Sequence, residues 1–153
     1  MKLLEITCSE QKQVICNRLL RLLPEWFGIE YAIRNYVDEV ESVVMYAAEK
    51  NDEIIAFVSV TEQTADADEI HLIAVHPNYH RQGIGKMLVT EVERTALMHG
   101  KKYLTVKTLS SSHPDPHYRK TRIFYENMGF VGVQLLTDLW GESNPCLVMV
   151  KKL

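Results

Sequence analysis

Between residues 9 and 22 the chain reads SEQKQVICNRLLRL, and Val14, Ile15, Leu19, Leu22 and Leu23 recur at helical spacing until Pro24 breaks the pattern. Ser9 stands where an N-cap belongs. A second short helix is predicted over about residues 29–40, IEYAIRNYVDEV. From Val43 the period shortens to two. VVMYAAE and EIIAFVSVTEQ, joined by the polar KND, predict a β-hairpin. TADADE is a polar loop. EIHLIAVH is nearly all apolar, which predicts a strand covered on both faces. HRQGIGK follows. Helical period then returns with Ile84, Leu88, Val92 and Ala96, and Gly100 is the expected stop.

KKYLTVKTLS is the next predicted strand, and SSHPDPH is a proline-punctuated loop. YRKTRIFYENM reads as a helix ending at Gly129. FVGVQLLTDLW and CLVMVKKL, joined through GESNP, are the last predicted strands. The order is ααβββαβαββ. A helix crosses between two strands of the central sheet, which predicts a mixed α/β sheet with helices on both faces.

Composition narrows this picture. At 153 residues, with 46% apolar and 24% charged residues, the chain suits one domain, residues 1–153. A net charge of −3 and a pI near 6.1 give no electrostatic reason to bind nucleic acid or an anionic membrane. No apolar run is long enough for a membrane span, and the N-terminus does not read as a secretory signal. Cys8, Cys16 and Cys146 are too few and too scattered for a disulfide framework, so a reducing, cytoplasmic setting is expected. The histidines lack ligand spacing, and no metal is expected.

The chemistry concentrates in HRQGIGK, where a strand gives way to a helix. A helix N-terminus presents unpaired N–H groups and partial positive charge, and glycines let a ligand approach the backbone closely. Such a turn suits a phosphate. A P-loop is excluded: the required first glycine is His80, and the required Ser or Thr is Met87. A dinucleotide fingerprint is excluded because its third glycine would fall at Leu88.

IAVHPNYHRQGIGKML resembles the core motif of the Gcn5-related N-acetyltransferase (GNAT) superfamily, and RIFYENMGF resembles its second motif. The likeness spans roughly residues 5–150. His80 departs from the family's Arg or Gln. The resemblance implies a mixed, mostly antiparallel sheet of about seven strands with splayed central strands. It also implies acetyl-coenzyme A (acetyl-CoA) as co-substrate, its pyrophosphate wrapped by the amides of Arg81, Gln82, Gly83, Gly85 and Lys86. The backbone groups of Ile73 and Val75 would pair with the pantetheine arm, and the Ile73 amide would face the thioester carbonyl. A homodimer is compatible with the same likeness.

Transfer to an amine needs that amine neutral, yet a lysine-like amine is neutral in only roughly one molecule per thousand at pH 7. By the same resemblance Tyr125 is the general acid toward the thiolate, with Tyr118 two turns earlier as a pocket or packing residue. Glu69 is the expected general base. Period two puts His71 on its face as a second candidate, directly or through water. HYRKTR (117–122) is a small basic patch that could meet adenosine phosphate or simply be a solvated helix face. Trp26, Phe27, Tyr31 and Trp140, with Glu25, Glu30, Asp66, Asp68 and Glu69, suggest that the acceptor is a small cationic amine. A protein amine and a coenzyme A-binding sensor without turnover are the other readings.

Overall fold

The computed structural model describes residues 1–153. The elements in chain order are β1 (Lys2–Ile6), α1 (Ser9–Arg21), α2 (Glu30–Val40), β2 (Val44–Lys50), β3 (Glu53–Glu62), β4 (Ala67–Val75), a 3₁₀ turn (Pro77–Tyr79), α3 (Ile84–Met98), β5 (Tyr103–Leu109), α4 (Pro116–Asn127), β6 (Val131–Leu136) and β7 (Cys146–Lys152). The seven strands form a sheet in the order β1-β2-β3-β4-β5-β7-β6. β4 and β5, joined through α3, are parallel, while β1–β2, β2–β3, β5–β7 and β6–β7 are antiparallel. The mixed, mostly antiparallel sheet is therefore as expected.

β1 is the strand that periodicity misses. KLLEI is short, its burial does not alternate cleanly, and its single partner is β2, some forty residues further on. Ser9 is not the cap of α1 either. Cys8 occupies the N-cap without a side-chain bond, and the Ser9 hydroxyl donates to Glu41 O at 3.2 Å. β4 starts two residues before Glu69. Its burial alternates, with Asp68, Ile70, Leu72 and Ala74 buried and the residues between them half-buried. The expectation of a strand covered on both faces is corrected accordingly.

Two compact units arise along the chain: Met1–Thr61 with His71–Thr95, and Glu62–Ile70 with Ala96–Leu153. In the first, α1 and α2 bury Ile15, Leu19, Leu20 and Ile33 with Met45, Phe57 and Leu72 of the strands. Ala48, Ala56 and Val58 alternate with this set and are fully buried too, so β2 and β3 are covered on both faces. In the second, β5, β7 and β6 form an antiparallel ladder, and Arg122 of α4 donates from Nη1 to Leu109 O at 2.7 Å. β4 pairs with β5 over four positions only, Ala67–Tyr103 to Ile70–Val106. There the ladder between the two parallel strands ends, as the splay implied.

Candidate functional site

The turn after β4 is built from local necessity. His76 Nδ1 accepts from Asn78 N, and Pro77 sets the 3₁₀ turn. Arg81 (φ 60°) and Gly83 (φ 79°) then take left-handed conformations. Space is open around Gly83, so glycine is needed there for its backbone alone. Backbone bonding resumes with Met87 N to Gly83 O at 3.0 Å. Between His80 and Met87 no main-chain amide reaches a main-chain acceptor. The amides named from the sequence, those of Arg81, Gln82, Gly83, Gly85 and Lys86, all fall in this gap. With the positive end of the α3 dipole behind them, they can accept an anion.

His80, the departure from the family pattern, ties this turn to its strand. Its Nε2–H donates to Val75 O at 2.7 Å, and its ring meets Trp26 edge-on with centroids 5.9 Å apart. One of the Val75 backbone groups expected to meet the ligand thus already has a partner. Ile73, two residues earlier, is half-buried. Phe27, Tyr36 and His71 continue the aromatic series by T-shaped contacts at 6.0 Å.

His71 is held at both ring nitrogens. Nδ1 lies 2.9 Å from the hydroxyl of Ser59, a fully buried β3 residue, and Nε2 lies 2.7 Å from Glu39 Oε2. Glu39 and Ser59 were not legible as partners. Glu39 precedes His71 by 32 residues on another element, and nothing in its local pattern marks it.

In the second unit, Glu69 is 13% exposed and is clasped by Lys107, whose Nζ donates to Oε1 at 2.7 Å and to Oε2 at 2.9 Å. Tyr125 lies on the buried side of α4, 3% exposed, between the rings of Phe124 and Phe130. Burial alone pushes its phenol well above the usual tyrosine range, so the hydroxyl keeps its proton at any physiological pH. α4 is started by Asp115, whose Oδ1 accepts from His117 N at 2.8 Å and Tyr118 N at 3.4 Å. The expected basic patch loses Arg122, which is buried and committed to Leu109. Of the acids suggested for an acceptor, Glu30 binds Arg21 and Arg34, Asp66 pairs with Lys102, Asp68 with Lys101, and Glu69 with Lys107.

A mixed sheet whose parallel crossover opens with an anion-accepting turn defines the class: an α/β fold that can hold a phosphorylated ligand at a strand's carboxyl end. Residues 41–132 match the family described as an acetyltransferase (GNAT) domain, more than half of the chain. The protein belongs to this family and is an acyltransferase.

Solved structures agree in fold. A GNAT-family acetyltransferase from Desulfovibrio desulfuricans superposes with a TM-score of 0.81 at 19% identity, covering 99% of each chain. The aminoglycoside 6'-N-acetyltransferase from Enterococcus faecium gives 0.74 at 21% identity, covering 99% of this chain and 97% of its own. A GNAT acetyltransferase from Elizabethkingia anophelis with acetyl-CoA bound gives 0.68 at 23% identity, covering 87% and 89%. Comparison with curated proteins finds no match.

Proposed function

We propose that residues 1–153 act as a single N-acetyltransferase domain moving an acetyl group from acetyl-CoA to the primary amine of a small molecule. The observation that carries this reading is the run of main-chain amides from Arg81 to Lys86 without main-chain acceptors, at the start of α3. They suit the pyrophosphate of coenzyme A. Ile73 and Val75, on the strand leading into the turn, are the residues whose backbone groups meet the pantetheine arm. A cytoplasmic setting belongs to the same reading, and no helix is long and apolar enough to cross a membrane.

The reaction is direct attack of a neutral amine on the thioester. Tyr125 supplies the proton or hydrogen bond that the departing thiolate needs. What supports this role is its place in the second motif and a phenol that burial keeps protonated. Glu69 is the base suggested by sequence position. Lys107 Nζ donates to both of its oxygens, which weighs against that role because neither oxygen is left without a partner for the acceptor amine. His71, the second candidate, has no cation on it.

Calorimetric titration of acetyl-CoA into the purified protein tests the reading, with ATP and NAD as controls and Gly83→Asp as the loop variant. Binding of acetyl-CoA alone, lost in the variant, supports it. A screen of small amines and of peptide N-termini and lysines with labelled acetyl-CoA then separates small-molecule from protein acceptors. Binding without turnover of any amine would favour the sensor reading. A folded protein that does not bind acetyl-CoA would sink the proposal.

A further inference from the structure

We propose that Glu39 of α2 receives the ammonium group of the acceptor and that the Glu39–His71 pair, backed by Ser59, takes its proton. The inference rests on the acetyl-transfer reading and assigns the proton acceptor within it.

The first argument is hydrogen-bond chemistry. An imidazole nitrogen and a carboxylate oxygen 2.7 Å apart need a proton between them. Glu39 therefore fixes His71 with a hydrogen on Nε2. Nδ1 then faces Ser59 at 2.9 Å, and a hydroxyl can either donate or accept. When the ring is neutral, the Ser59 O–H donates to Nδ1. When the ring is an imidazolium, Nδ1–H donates to the Ser59 oxygen. Because the buried hydroxyl can turn, both ring contacts are kept in either state, and the ring stays fixed against Glu39.

The second argument is access. The Glu39 side chain is 54% exposed while that of His71 is 17% exposed. Oε2 is engaged with the ring, which leaves Oε1 for a donor arriving from outside. His71 is also two residues before Ile73 on the same strand, roughly 7 Å along it. The proposed proton acceptor is thus close along the chain to the amide assigned to the thioester.

The other titratable groups facing the pair do not compete. Cys16 of α1 has its thiol pushed up to about 12, by burial and then by the Glu39 charge. The Tyr36 phenol of α2 is pushed up by burial first and by Glu39 next. Both stay protonated near neutrality, so neither is a rival proton acceptor.

The proton count closes. The ammonium gives one proton to Glu39 Oε1, while Oε2 keeps its bond from His71 Nε2–H, and the amine lone pair attacks the thioester carbon. The C–N bond forms and the C–S bond breaks. A second amine proton compensates the thiolate, directly or by way of the Tyr125 hydroxyl. The third remains on the amide, and the pair later returns its proton to solvent.

The test uses two small amines as acceptors with saturating acetyl-CoA: ethylamine, protonated at pH 7, and 2,2,2-trifluoroethylamine, largely neutral there. Glu39→Gln keeps an acceptor for the Nε2 hydrogen but loses the charge. It is expected to lose about 10²-fold in kcat/KM with ethylamine at pH 7. With trifluoroethylamine it should lose little, and the ethylamine defect should shrink as the pH approaches 10. Glu39→Asp should recover part of the rate. His71→Gln, checked for folding by its melting curve, should show the same selectivity between amines. Equal losses with both amines, or a pH-independent loss, overturn the proposal in favour of a structural role. So does a wild-type rate in Glu39→Gln, or wild-type protein that binds acetyl-CoA and acetylates neither amine. Failure of wild-type protein to bind acetyl-CoA overturns the underlying reading instead.

Discussion

Tyr125, the proposed acid, would combine a packing role with a chemical one. Its ring fills space between Phe124 and Phe130, and the burial that makes it a packing residue also holds its proton. Tyr125→Phe keeps the ring and removes the hydroxyl. The melting temperature should stay near wild type, acetyl-CoA affinity should hold, and kcat should fall by about 10²-fold or more. A variant with unchanged kcat would reduce Tyr125 to packing. The cysteines permit an independent check of burial. Cys8 is exposed, whereas Cys16 and Cys146 are buried, and burial raises both buried thiols, Cys16 to about 12. Because the thiolate is the reactive form, a disulfide reagent at pH 8 should modify one thiol in the native protein and three after denaturation. Rapid reaction at Cys16 would mean that α1 opens readily. At this scale the sequence exposed residue type and motif position but not partnership. Tyr125 and Glu69 could be named from their place in a pattern. The Lys107 clasp and the Glu39–His71–Ser59 array could not, because each joins residues brought together only by sheet register and helix packing.

The element that matters most is the turn between β4 and α3. Its backbone is set by left-handed residues at Arg81 and Gly83. A β-carbon at Gly83 would meet no atom within 4 Å, so Gly83→Ala tests the dihedral alone. It should cost roughly 1–2 kcal/mol of stability, read from chemical denaturation, and should weaken acetyl-CoA as the turn relaxes. Replacing Arg81 by glycine removes the equivalent strain and should stabilise the free protein in the same denaturation measurement. An unchanged Gly83→Ala protein would mean that the turn readily adopts another shape. This turn was legible because helix N-termini and glycines announce themselves locally. β1 was not legible, since a five-residue strand with uneven burial is specified by its distant partner β2. The half-buried residues of β4 were missed for a related reason. An almost unbroken apolar run looks the same whether both faces are covered or one is partly open.

For the molecule as a whole, the question is whether two compact units respond to acetyl-CoA as one. The seven strands form a continuous hydrogen-bonded order, which favours a single cooperative unfolding transition for a chain of 153 residues. A ligand that binds only the folded chain stabilises it by about 2.7 kcal/mol at a concentration one hundred times its Kd. For a domain of this size, that corresponds to a rise in Tm of about 5–10 °C. The expected calorimetric trace is one peak that moves as a whole with acetyl-CoA, does not move with NAD, and stays fixed in Gly83→Asp. Two peaks, of which acetyl-CoA moves only one, would show that the turn and Tyr125 belong to parts that unfold separately. The acid role of Tyr125 would then need its own binding evidence. One peak moved by acetyl-CoA, with the Tyr125→Phe protein shifted equally, would instead support the division of labour proposed here: the β4–α3 turn holds the donor, and the buried phenol acts in the chemistry.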